Sequence, residues 1–311
     1  MKKQKEKKKK FVYDHVKACK PFDVEELPDI YINRRISAPI VKLLLNTGVT
    51  PNQVTVISLF IGILGAVLLF NNKVSPMVSA FLIYLALILD CVDGQLARSR
   101  DQASLSGRIM DGMVDYLNTT SYFIAMVGFS LKNLGGNYST LIWLLGAGAG
   151  LSTLVHSVLY DYYKNLYIAF AIKDYDESLD SIEEINNEYR DAKLHNEWSK
   201  IITLLIYTFY LKIQDIFISS SDKRSASGFH NDAFDEDYAV VYRRYHRKLT
   251  RAWSLLGPTA HVTVISVTSF IAAFDPRAFI YCFIVFTAIM NPYMLVTFLF
   301  QYRNSKKTKK N

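Results

Sequence analysis

Cysteine is scarce in this chain. Its 311 residues include only Cys19, Cys91 and Cys282, too dispersed for a disulfide framework or a thiolate metal site, so neither a disulfide nor zinc is expected. An apolar leader is missing as well. The chain opens with a basic run over residues 2–10, so the first apolar block is expected to orient without a cleaved signal peptide. No basic motif with interleaved aromatics of the kind that grips nucleic acid is present. The net charge of +8 is therefore expected to meet anionic membrane lipids, with no nucleic acid partner. Residues 173–193 are acidic and lack the apolar density of a core, which points to an exposed cytoplasmic helix or a partly disordered loop.

What is abundant is long apolar sequence. Half of the residues are hydrophobic, gathered in blocks that read as spans at about 54–70, 78–96, 107–131, 140–160, 253–273 and 279–300. Basic residues gather in alternate loops: the 2–10 run, then Arg98, Arg100 and Arg108, then the stretch 243–251, then the 303–310 tail. The opposite loops carry only Lys73, Lys132 and Arg277. The expected fold is all-α, a polytopic membrane protein of six transmembrane helices with a cytoplasmic N-terminal juxtamembrane helix near residues 13–39 and a cytoplasmic insertion. The expected organisation is a basic N-terminal segment 1–53, four helices over 54–164, an insertion over 165–252, and two helices with a basic tail over 253–311. Within the insertion, residues 201–218 are apolar but interrupted by Lys212 and Asp215. A seventh span would also put the basic tail outside, so this stretch reads as interfacial or packed against the bundle. The expected location is a bacterial cytoplasmic membrane, with the polar site facing the cytoplasm.

Asp90, Asp93, Gly94 and Ala97 recur at i, i+3, i+4 and i+7 and so share one helix face, while Gly107, Asp111 and Asp115 share a face of the next helix. A carboxylate in hydrocarbon costs roughly 2.5–3.5 kcal/mol even on the lenient insertion scale, so four together call for a cationic neutraliser. A metal ion is the expected one. The plainer alternative pairs the aspartates with Arg98, Arg100 and Arg108. Carboxylate oxygens without histidine or thiolate select a hard divalent ion, Mg²⁺ or Mn²⁺.

From Asp90 to Asp115 the sequence fills all fixed positions of D-x-x-D-G-x-x-A-R-(x8)-G-x-x-x-D-x-x-x-D, and it resembles the CDP-alcohol phosphatidyltransferase family. That resemblance implies an alcohol hydroxyl attacking the phosphorus of a CDP-activated lipid or alcohol, giving a phosphodiester and CMP. It implies that Asp90, Asp93, Asp111 and Asp115 hold metal and that Asp115 is also the general base. By the same resemblance Gly94, Ala97 and Gly107 line a cytidine pocket, and Arg98 pairs with phosphate or locks an aspartate. The segment TPNQVT at 50–55 is similar to a family segment lying near the nucleotide. Asn52 and Thr55 read equally as nucleotide contacts or as an ordinary helix cap under Pro51. Two donors stay open, CDP-diacylglycerol with a soluble alcohol such as inositol phosphate, glycerol phosphate or serine, or a soluble CDP-alcohol with a diacylglycerol-type lipid. The basic stretch YRRYHRKLTRAW at 242–253 tilts the choice to the first, since it suits an anionic acceptor. Its alternative role is a topological anchor ending in an aromatic-belt Trp253. His156 and His261 read as buried structural histidines. A homodimer is compatible with this topology, and an intramembrane cation transporter is the rival from another class.

Overall fold

The computed structural model describes residues 11–72, 75–173, 182–217 and 235–308. The basic run at 2–10, Lys73, parts of the insertion and the last three residues of the tail lie outside the described residues. Among the described residues every regular element is helical.

The juxtamembrane helix is α1, Arg34–Leu44, entered through a π-helical turn at Asp29–Asn33. It lies later in the chain than the sequence suggests. Residues 19–26 carry no helix, and α1 closes against the next helices through Val41, Leu45, Val54, Val92 and Leu96. Arg100 ties its end down, donating to the carbonyls of Leu45 at 3.0 Å and Val49 at 2.6 Å. The arginine therefore points away from the aspartates.

Helix α2, Pro51–Asn71, starts where Thr50 and Gln53 form a capping box above Pro51, so the cap falls to Thr50 and leaves Asn52 and Thr55 free for other work. It stops at Asn72, whose φ of 54° is left-handed. Helix α3, Pro76–Ser99, carries Asp90 and Asp93 in its second half. After a short turn, Ser104 accepts from Gly107 N at 3.1 Å and opens α4, Leu105–Leu134. The capped turn holds the first two aspartates beside the second two. Helix α5 is Ser139–Ala171 and continues past the expected end at 160. Helices α6, Ile182–Leu194, and α7, Trp198–Phe217, come from the insertion. Then follow α8, Glu236–Trp253, α9, Pro258–Ala272, and α10, Ala278–Ile284. A π-helical stretch at Val285–Ile289 leads into α11, Met290–Thr308.

Among the described residues, five segments are long and apolar enough to cross a membrane: Pro51–Asn71, Pro76–Ser99, Gly136–Ala171, Glu236–Ala272 and Ala278–Thr308. The expected sixth, α4, is less apolar than these because Arg108, Asp111, Asp115 and the polar run NTTS fall within residues 108–121. At 30 residues it is nonetheless about 45 Å long, and it packs between α2 and α5. The main core joins Leu69, Ile83, Met126, Ile142, Ile265, Phe279 and Phe283 from six helices. The outward faces are apolar too, with Phe60, Leu64, Trp143 and Leu151 exposed, as hydrocarbon-facing helices require.

Two features of the insertion region differ in kind. Helix α7 is outside the five spans and docks on α4 through Ile201 and Leu204 against Ile109. Trp253 is no aromatic belt: it is buried and stacked on Tyr163 at 4.8 Å.

Candidate active site

The four aspartates line one cavity of about 780 Å³. Asp90, Asp93 and Asp111 each turn one carboxylate oxygen to a common point, the three atoms lying within 4.8 Å of one another. Asp115, one turn beyond Asp111 on α4, lines the same cavity outside that three-oxygen set. Asp93 is buried, and the Thr55 hydroxyl on α2 donates to its Oδ2 at 2.6 Å. One edge of the set is thereby fixed by a hydrogen bond from a third helix. Asp90 Oδ1 is buried with no hydrogen-bond partner among the described residues, a state that costs free energy unless something cationic fills it. An all-oxygen donor set of this kind fits a hard divalent ion.

Every residue singled out from the sequence for nucleotide contact borders the same space: Asn52, Thr55, Gly94, Ala97, Arg98 and Gly107. The two glycines matter for different reasons. A Cβ on Gly94 would lie 3.2 Å from the Arg98 guanidinium, which folds back over it, and one on Gly107 would meet Ser104 Oγ at 3.0 Å and Asn52 Oδ1 at 3.6 Å. Arg98 has a role neither expectation named, since its Nε donates to the Ala18 carbonyl at 2.9 Å.

The basic stretch of α8 does not reach this cavity. Arg243 pairs with Glu236 at 2.8 Å, Arg247 pairs with Asp23 at 2.8 Å, and Arg251 donates to the Glu25 carbonyl at 2.7 Å and to that of Phe22. Arg247 and Arg251 thus hold the N-terminal segment, while the Arg243 pair stays within α8. His156 and His261 are buried and hydrogen-bonded to each other at 3.2 Å, with His261 also bonded to the Gly257 carbonyl, away from the aspartates.

Two groups of cavity residues escaped the sequence reading. Asp161, Lys164 and Asn165 stand at i, i+3 and i+4 near the end of α5 and line the cavity, with Lys164 bonded to Asp161 at 2.6 Å. The face argument used for the aspartates would have found them. Glu25, Glu26, Asp29 and Arg34 line it from the N-terminal side, and no periodicity marks them. Arg34 Nε donates to Glu25 Oε1 at 2.6 Å in a buried pair. Glu26 accepts from the backbone N–H groups of Thr259 at 3.3 Å and Ala260 at 2.8 Å, capping α9 from outside its own chain segment. Burial, and then the nearby Asp29, push the Glu26 carboxyl up to about 8. Beyond the aspartates the cavity runs between α4 and α5 past Phe123, Ile124, Val127, Trp143, Leu151 and Leu154, an apolar arm open to the lipid-facing side.

Comparison with known proteins agrees with this geometry. Residues 48–170 match the CDP-alcohol phosphatidyltransferase family model. The bifunctional IPC transferase and DIPP synthase of Thermococcus kodakarensis is 36% identical over 103 residues, covering 33% of this chain and 23% of that protein. The phosphatidylinositol phosphate synthase of Mycobacterium marinum is 29% identical over 115 residues, or 36% of this chain and 48% of that one. The archaetidylinositol phosphate synthase of Pyrococcus horikoshii is 28% identical over 101 residues, 32% and 53% respectively. The chain thus spans about half the length of these relatives or less.

Proposed function

We propose, from the membership of residues 48–170 in the CDP-alcohol phosphatidyltransferase family, that this membrane protein transfers a phosphatidyl-type group from a CDP-activated lipid to a phosphorylated polyol and releases CMP. The observation that carries the reading is the convergence of Asp90, Asp93 and Asp111 oxygens within 4.8 Å in the one cavity that also collects Asp115 and the small residues Gly94, Ala97 and Gly107.

Asp90, Asp93 and Asp111, with Asp115 beside them, would hold Mg²⁺ or Mn²⁺. Such an ion, when bound, supplies charge stabilisation to the diphosphate and to the leaving phosphate. Asp115 takes the proton from the acceptor hydroxyl as the oxygen–phosphorus bond forms and the bond to CMP breaks. Gly94, Ala97 and Gly107 let the nucleotide approach helix backbone, and Asn52 offers it a polar edge. Lys164, with Asp161 and Asn165, supplies a cation and hydroxyl-binding groups at the polar end of the cavity, which suits an acceptor carrying phosphate and hydroxyls. The apolar arm between α4 and α5 suits a lipid-borne substrate. Inositol phosphate chemistry in the names of the relatives favours a polyol phosphate as acceptor, which makes the lipid the CDP-bearing donor. The distribution of basic residues supports a cytoplasmic opening.

Radiolabelled CMP release from CDP-diacylglycerol, measured with inositol phosphate, glycerol phosphate and serine, tests the proposal. Release is expected to need Mg²⁺ or Mn²⁺, to stop in excess EDTA, and to be fastest with inositol phosphate. Full turnover in EDTA removes the metal role, and release with none of the acceptors removes the donor assignment.

A further inference from the structure

Residues 14–28 form a strap that lies outside the family-matched region and bridges two sides of the bundle. On the α3 side, Lys17 pairs with Asp101 at 2.7 Å and Arg98 holds the Ala18 carbonyl at 2.9 Å. On the α5 and α8 side, Asp23 pairs with Arg247 and accepts from the Tyr167 hydroxyl at 3.1 Å, while Tyr160 donates to the Val24 carbonyl at 3.0 Å. Arg251 grips the Phe22 and Glu25 carbonyls, with its guanidinium 4.0 Å from the centre of the Phe22 ring. Between these two sets of anchors stands Lys20, and it lines the cavity that holds the four aspartates.

Ordering a segment whose regular structure is mainly the short helix His15–Ala18 costs backbone entropy, and the anchors on both flanks offset that cost at the point where Lys20 enters. A cation set beside a metal-holding carboxylate group opposes metal binding unless an anion lies between them. A diphosphate is such an anion. A lysine ammonium is a compact point charge on a flexible stem, suited to phosphate oxygens whose positions shift as a bond breaks. Arg98, five residues after Asp93 on α3, reaches back to the strap two residues from Lys20, so the motif itself helps to set the lysine in place.

We propose that Lys20 is a binding residue for the diphosphate of the nucleotide-activated substrate, delivered into the cavity by a strap that the family-matched region does not contain. The proposal rests on the donor class argued above and adds a residue to its recognition.

Equilibrium dialysis of radiolabelled CDP against the full chain in detergent with Mn²⁺, with unlabelled cytidine as competitor, tests it. Lys20→Ala is expected to weaken CDP binding about 10-fold or more, the scale of one lost hydrogen bond to a charged group. Lys20→Arg is expected to recover most of it, and cytidine, which has no phosphate, is expected to bind both variants and the unaltered protein alike. CDP affinity unchanged in Lys20→Ala overturns the proposal. So does an equal loss for CDP and cytidine, which would make the lysine a support of the strap alone. An unaltered protein that binds no CDP overturns the donor class and this residue's role together, which distinguishes the two failures.

Discussion

Thr55 shows how much of the site rests on one hydroxyl. It belongs to α2, whereas its partner Asp93 belongs to α3, and the 2.6 Å bond between them is buried. A carboxylate that must hold a cation needs its orientation set beforehand, and groups bonded to ligating side chains change metal affinity by about 10–100-fold when removed. Thr55→Val keeps the shape and removes the donor. Mn²⁺ affinity, read from the loss of the free-ion electron paramagnetic resonance signal, is expected to fall about 10-fold or more in Thr55→Val and to hold in Thr55→Ser. Equal affinity in the valine variant would leave the Thr55 hydroxyl a structural bond between α2 and α3 with no part in holding the ion.

Between elements, contact is set by small residues and by one carboxylate that crosses from the strap. A Cβ on Gly62 of α2 would fall 2.4 Å from Asn118 Oδ1 and 2.5 Å from the Tyr122 hydroxyl of α4, and both of those side chains are buried. The helices carrying Thr55 and Asp115 therefore pack at a separation only glycine permits. At the other side, Gly257 leaves room for the Glu26 carboxyl, which would lie 2.3 Å from a Cβ there, to cap the start of α9. Glu26 titrates near 8 in the fold against an ordinary 4.5, with Asp29 and Lys164 as its charged neighbours. The folded state thus holds this proton more tightly than the unfolded chain, and its contribution to stability is complete below 4.5 and lost as pH rises through about 8. Thermal unfolding between pH 6 and 9 is expected to show a steeper fall in Tm for the unaltered protein than for Glu26→Gln, which keeps an acceptor oxygen and has no proton to lose. Parallel slopes for the two proteins would place the ionisation of Glu26 outside this range.

At the scale of the whole molecule, what could be read from sequence was what repeats locally. Asp90, Asp93, Asp111 and Asp115 declare themselves because helical spacing fixes their faces, and the apolar blocks declare the spans. Asp23 with Arg247 lies beyond such reading, since 224 residues separate the pair and no pattern in either segment points to the other. The same holds for the strap as a whole and for Glu26 on α9. Helix α7 falls between these cases. Its sequence reads as interfacial or packed against the bundle, and Ile201 and Leu204 do face Ile109 of α4, while an adjoining face carries Ile202, Leu205, Ile206 and Phe209, all exposed. Those four follow i, i+3, i+4 and i+7, a continuous apolar stripe, and Ile206 and Tyr207 also border the active cavity. A stripe of that kind beside lipid-facing Leu151 and Leu154 is covered at lowest cost by hydrocarbon, which sets α7 in the membrane boundary with one face on the helical bundle. A nitroxide attached at Phe209→Cys in reconstituted bilayers is therefore expected to collide more often with dissolved oxygen than with a polar nickel chelate, and one at Glu197→Cys, exposed just ahead of the helix, to show the reverse. High nickel accessibility at position 209 would lift α7 off the bilayer and leave the lateral side of the cavity facing water.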